Sequence, residues 1–182
     1  MDAEFIRHCA RKDTLTLVER IRLEAIAEEI KRGENLKKDR IRDYATAAFV
    51  DYAANGYITY DEAKKEIYNA ALLDAAQDVK NGGKNPVINA TKRAEKAVED
   101  KAGYLLDVLA VDKTIEILQE AGKGYIIDVV FNVYDADSIN RRNAISSRVK
   151  RLAAEMPASE MTIYRYLKQA RDIFAKCRGL NG

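Results

Sequence analysis

Six side chains within one short stretch carry the groups best suited to chemistry here: Glu160, Met161, Thr162, Tyr164, Arg165 and Lys168. A guanidinium such as that of Arg165 offers a planar fork that pairs bidentately with the O6 and N7 edge of guanine. Met161 or Thr162 can pack on a thymine methyl group. A second set, Arg141, Arg142, Arg148, Lys150 and Arg151, with the Ser159 hydroxyl, suits phosphate oxygens, which carry affinity without sequence information. Together these residue types point to recognition of double-stranded nucleic acid.

Such groups read base edges only if a helix presents them on one face. The spacing supplies two helices. Ile145, Val149, Leu152 and Met156 form one apolar stripe, and Ile163, Leu167, Ala170, Phe174 and Cys177 form another. Pro157-Ala158 separates them, Ser159 is a good N-cap, and Glu160 suits the positive end of the new helix. Two amphipathic helices joined by so short a turn must cross steeply to share a core, which is helix-turn-helix geometry. Ala153 allows close approach and Ile163 fills the space between the helices. The turn position usually held by glycine carries Pro157, which cannot supply a positive φ.

Charge is distributed to match. The formal net charge is +2 over 182 residues. Ser138–Gly182 holds ten basic residues against Glu155, Glu160 and Asp172, a local +7, which leaves −5 for the rest. Apolar residues at 47% and only 9 Gly and 2 Pro describe a helix-rich chain able to bury a core. Cys9 and Cys177 lie near opposite ends with no zinc or disulfide spacing, as for free thiols in a reducing compartment. No apolar run reaches a membrane span and none is of signal-peptide type, so the reading is cytoplasmic, with no membrane partner.

Upstream of Gly122 the pattern predicts a helical body. A first helix is expected over about Thr14–Lys31, ended by Gly33, and a second over about Leu36–Asn55. Thr59 and Glu62 form a capping box opening a third helix that runs to about Lys80. Pro86 starts a further helical stretch, with bends expected at Gly103 and Asp112. Tyr125–Tyr134 is rich in β-branched and aromatic residues, yet no second strand candidate exists to pair with it. Ile126, Val130 and Val133 share a helical face, so we read it as helix, with a strand paired across a dimer as the alternative.

Three weaker signals compete. Asp51, Asn55, Tyr57, Thr59 and Glu62 occupy EF-hand loop positions around Gly56, but position three is Ala53, and a helix end followed by a capping box explains the same residues without calcium. His8 has no nearby ligand set. Asn81-Gly82-Gly83-Lys84-Asn85 lacks phosphate-loop spacing and follows a helix, as a plain turn does. No nucleophile–base pair, cofactor motif or carboxylate pair stands out, so the chain reads as a binding protein without a cofactor, not an enzyme.

The run ISSRVKRLAAEMPASEMTIYRYLKQARDIFAKCRGL, preceded by VVFNVYDADSINRR, resembles the C-terminal region of small phage and prophage proteins of low-GC Gram-positive bacteria, the ArpU and RinA type of late transcription regulator. Their C-terminal part is similar to region 4 of bacterial sigma factors. The resemblance covers about Val129–Leu180, with SEMTIYRYLKQAR its most specific piece. It implies sequence-specific DNA binding in phage gene expression, contact with RNA polymerase, and base reading around Glu160, Thr162, Arg165 and Lys168.

The expected architecture is all-α: a helical body over 1–121, suited to homo-oligomerisation, and a helix-turn-helix region over 122–182 that places the 159–177 helix in the major groove. The rival readings are a phage DNA-packaging adaptor of the terminase small-subunit kind and a helical interaction protein with no DNA role.

Overall fold

A computed structural model describes residues 3–4, 17–80, 86–135 and 144–180. Within them the chain is all-α, with seven long helices and no strand. These are α1 (Leu17–Ala54), α2 (Tyr60–Lys80), α3 (Pro86–Asp100), α4 (Ala102–Glu120), α5 (Gly124–Val133), α6 (Ala144–Glu155) and α7 (Glu160–Arg178). No described helix is long and apolar enough to cross a membrane.

Two compact units are present, Met1–Tyr44 and Ala45–Asn181, with α1 running from one into the other. In the first, Ala3 and Ala27 are buried and Ile30 packs on them. The side chains of Val18, Ile21, Leu23, Ala25 and Ile26 in α1 lie outside the described set. So do His8, Cys9, Thr14 and the segment 81–85, expected from the sequence to form a turn.

The expected break at Gly33 does not occur. A glycine inside a helix costs about 1 kcal/mol against alanine but leaves every backbone bond in place. Gly33 keeps a helical backbone with open space around it, so α1 runs straight through. The break expected at Asp112 is absent too. The chain bends at Lys101, two residues before Gly103, and Asp112 sits inside α4.

Asp112 has a tertiary task that outweighs its modest helix propensity. Its Oδ1 accepts the Tyr52 hydroxyl at 2.9 Å, and its Oδ2 accepts the backbone N–H of Tyr60 at 2.7 Å. Tyr60 is the first residue of α2, so Asp112 satisfies an orphan donor of a helix far away in sequence. The local capping box adds to this: Glu62 accepts the Thr59 N–H at 2.9 Å and the Thr59 hydroxyl at 2.7 Å.

The second unit forms around α4, which packs against α2, α3, α5 and α7. Leu105, Val108, Ala110, Val111, Thr114 and Leu118 are buried along it. Thr114 keeps its buried hydroxyl satisfied by donating to the Ala110 carbonyl at 2.7 Å. The Tyr125–Tyr134 segment is helical, as its periodicity indicates, with Ile126, Val129, Val130, Val133 and Tyr134 all fully buried. The Gly122 turn lies within this unit, and α4 packs on α7 across it. There Gly122, at φ +67, lets Lys123 N–H reach the Leu118 carbonyl at 2.8 Å and ends α4.

Two consequences follow for stability. Asp112→Ala should lower the unfolding free energy by about 2 kcal/mol, read by denaturant titration, because it strips a cap and a buried hydroxyl partner together. Burial, then the hydrogen bond to Asp112, raises the Tyr52 phenol well above its ordinary value. Its contribution is thus complete below about pH 10 and is lost as pH climbs beyond that. Tyr52→Phe should flatten the alkaline arm of a melting-temperature profile.

Candidate nucleic-acid interface

Helices α6 and α7 are separate elements joined by Met156–Ser159. Val149 and Leu152 are buried on α6, with Ile145, Ala153 and Met156 packed against the core. On α7, Ile163, Leu167, Ala170 and Phe174 are all fully buried. Both predicted stripes therefore face one core, except that Cys177, expected to close the second stripe, is exposed near the end of α7. Helix α5 packs on each of the two, and the Tyr125 and Tyr166 rings meet edge to face at 5.1 Å.

The turn needs no left-handed residue. Met156 N–H completes α6 by donating to Leu152 O at 2.9 Å, and Ala158 N–H then donates to Met156 O at 2.7 Å. That bond closes a three-residue turn centred on Pro157. An inverse γ-turn takes a central φ of about −75°, which the proline ring already favours. Among the described residues Tyr57 is the only non-glycine with positive φ. Ser159 then caps α7, its hydroxyl accepting the Thr162 N–H at 3.2 Å.

At 100° per residue, Met161, Arg165 and Lys168 lie on the side of α7 opposite its buried stripe. Met161 is 65% exposed, and the Arg165 side chain is exposed with no ion pair among the described residues. Lys168 is also exposed and is held beside Asp172 at 2.5 Å. Glu160 and Tyr164 flank this face on one side, both exposed. Thr162 is half-buried on the other, with its hydroxyl 3.0 Å from that of Ser159. The six base-edge candidates thus divide into a central trio, two flanking groups and a capping partner.

The phosphate candidates divide more sharply. Lys150 and Arg151 are exposed on α6, Arg151 lying 3.8 Å from Glu155. Arg141 and Arg142 lie outside the described residues. Arg148 departs from the expectation: its side chain is only 17% exposed, pairs with Asp135 at 3.1 Å and points a guanidinium nitrogen at the Val133 carbonyl. It fastens the end of α5 to α6, where a helix C-terminus favours a cation. Two further arginines of the basic segment are also tied inward. Arg171 donates to the Tyr134 hydroxyl at 2.5 Å, and Arg178 pairs with Asp107 of α4 at 2.5 Å. The sequence alone does not show these roles because the partners, Asp135 and Tyr134 just past α5 and Asp107 in α4, are distant in sequence; a cation one turn after an apolar stripe position was the only local hint.

The EF-hand candidates form a helix junction. Asn55 donates its amide to the Asp51 carbonyl at 2.7 Å, and the Tyr57 ring stands edge-on to Phe131 at 5.0 Å. Glu62 is engaged by Thr59, whose N–H and then hydroxyl hold its carboxyl below the usual range. Among the described residues no group of three or more His, Cys, Asp or Glu is placed to hold a metal ion.

The turn geometry makes a discriminating prediction. Pro157→Gly should destabilise the protein by about 0.5–1 kcal/mol in thermal or urea unfolding, since glycine frees the unfolded chain and relieves no strain. A turn that required positive φ would respond with the opposite sign.

No protein-family model, curated protein or solved structure matches the chain, so the functional reading rests on its own residues.

Proposed function

We propose that the chain is a sequence-specific DNA-binding protein, a phage or prophage transcriptional regulator that places α7 in the major groove. The observation that carries the reading is the Met161–Arg165–Lys168 face: solvent-open, on the second helix of a two-helix motif, and backed by a fully buried stripe. A recognition helix works from its N-terminal half, where this face and the Ser159 cap lie. Arg165, exposed on this face, supplies the guanine-type fork, and Met161 the apolar contact. Lys150 and Arg151 supply phosphate contacts from the preceding helix.

In this reading the protein acts in the cytoplasm as a homo-oligomer, because a single motif reads few bases and a symmetric pair reads two half-sites. Contact with RNA polymerase accompanies a regulator of this kind. No step calls for catalysis, a metal or a cofactor.

Selection from a random duplex pool tests the reading. An enriched motif is expected, and Arg165→Ala should weaken binding to it by about 1–3 kcal/mol and relax one position. Lys150→Ala should instead weaken all duplexes alike and reduce the slope of log affinity against log salt by about 1. Retention of duplex without any motif would replace regulation by architectural binding. Absence of duplex retention would end the proposal in favour of a helical interaction protein.

A further inference from the structure

A cleft of about 360 Å³ lies in the second unit, away from the α6–α7 face, lined by Asn55, Ile58, Ala63, Glu66, Ile67, Lys101 and Tyr104. We propose that it binds a small zwitterion, a primary amine and a carboxylate carried on an apolar frame, with Glu66 receiving the ammonium and Lys101 the carboxylate.

Its volume lies within the range of small-molecule sites, at the low end. Ala63 is 1% exposed at its floor, and Ile58 and Ile67 are half-buried beside it, so an apolar frame finds an apolar seat. The walls carry one carboxylate and one ammonium, and neither is in an ion pair among the described residues. A carboxylate and an ammonium on the walls of one cleft can be engaged together by a single ligand bearing both opposite charges. Asn55 keeps its amide oxygen available, because its nitrogen is spent on the Asp51 carbonyl. Burial, then the charges of Glu66 and Asp51, raise the Tyr104 phenol, which holds its hydroxyl protonated as a donor. An anion alone would meet Glu66, and an amine alone would meet Lys101; only a ligand with both groups avoids a like-charge contact.

The test is an amide NMR titration of the full chain with L-phenylalanine, L-leucine and γ-aminobutyrate, with N-acetyl-phenylalanine amide as the uncharged control. Saturable shifts at Ile58, Ile67 and Tyr104 are expected for at least one zwitterion, with a Kd below about 1 mM. Glu66→Gln and Lys101→Met should each weaken it about tenfold or more, with unchanged helical circular dichroism. The inference is overturned if no zwitterion saturates these signals by about 10 mM. Equal binding of the uncharged control, or undiminished binding by both variants, overturns it as well. The titration contains no DNA, so its failure leaves the DNA-binding reading standing.

Discussion

The ring of Phe49 is the point on which the second unit turns. It stacks on Tyr134 with centroids 6.1 Å apart, meets Phe174 at 5.6 Å and stands edge-on to Phe131 at 6.4 Å. Three helices far apart in sequence, α1, α5 and α7, are thereby held by one aromatic contact set. Aromatic pairs at these distances add stabilisation beyond the area they bury. Because Phe174 belongs to the buried stripe of α7, the same contact fixes the rotation of that helix about its axis. The solvent face of Met161, Arg165 and Lys168 is set by what lies behind it.

Hydrogen bonds reinforce this arrangement where the aromatic ring system meets polar groups. Tyr134 is fully buried, yet its hydroxyl is satisfied by Arg171 from α7. Leaving it without a partner would cost about 1–3 kcal/mol, so the pair is a condition of burying the ring. Arg148 and Arg178 act similarly at the edges of the core. The positive charge of the C-terminal segment therefore serves two purposes. Part of it locks the helices together and part remains open at Lys150, Arg151, Arg165, Lys168 and Lys176. A count of basic residues overstates the electrostatic surface, because a guanidinium fork suits a buried phenol or carboxylate as well as a phosphate.

Patterns within one turn of helix were legible before any coordinates. The Thr59–Glu62 capping box, the Ser159 cap, the α6 and α7 stripes and the helical state of Tyr125–Tyr134 all rest on contacts between residues at most a few positions apart. The misplaced boundaries share a different origin. Gly33 and Asp112 have weak local preferences for ending a helix, and neither preference exceeds about 1 kcal/mol, so tertiary partners or plain continuation overrule them. Pro157 was legible as a turn residue, but whether the turn needed a left-handed backbone depended on a bond between Ala158 and Met156.

Residue order by itself determined an all-α chain, most of its helix ends and the identity of the face that carries Arg165, because periodicity and capping are short-range physics. Tertiary structure decided which cations stay open and which become clamps, that Asp112 caps a helix it does not belong to, and that the last three helices share a core with α4. Those outcomes depend on partners dozens of residues away, and no local pattern encodes which distant group will arrive within hydrogen-bonding reach.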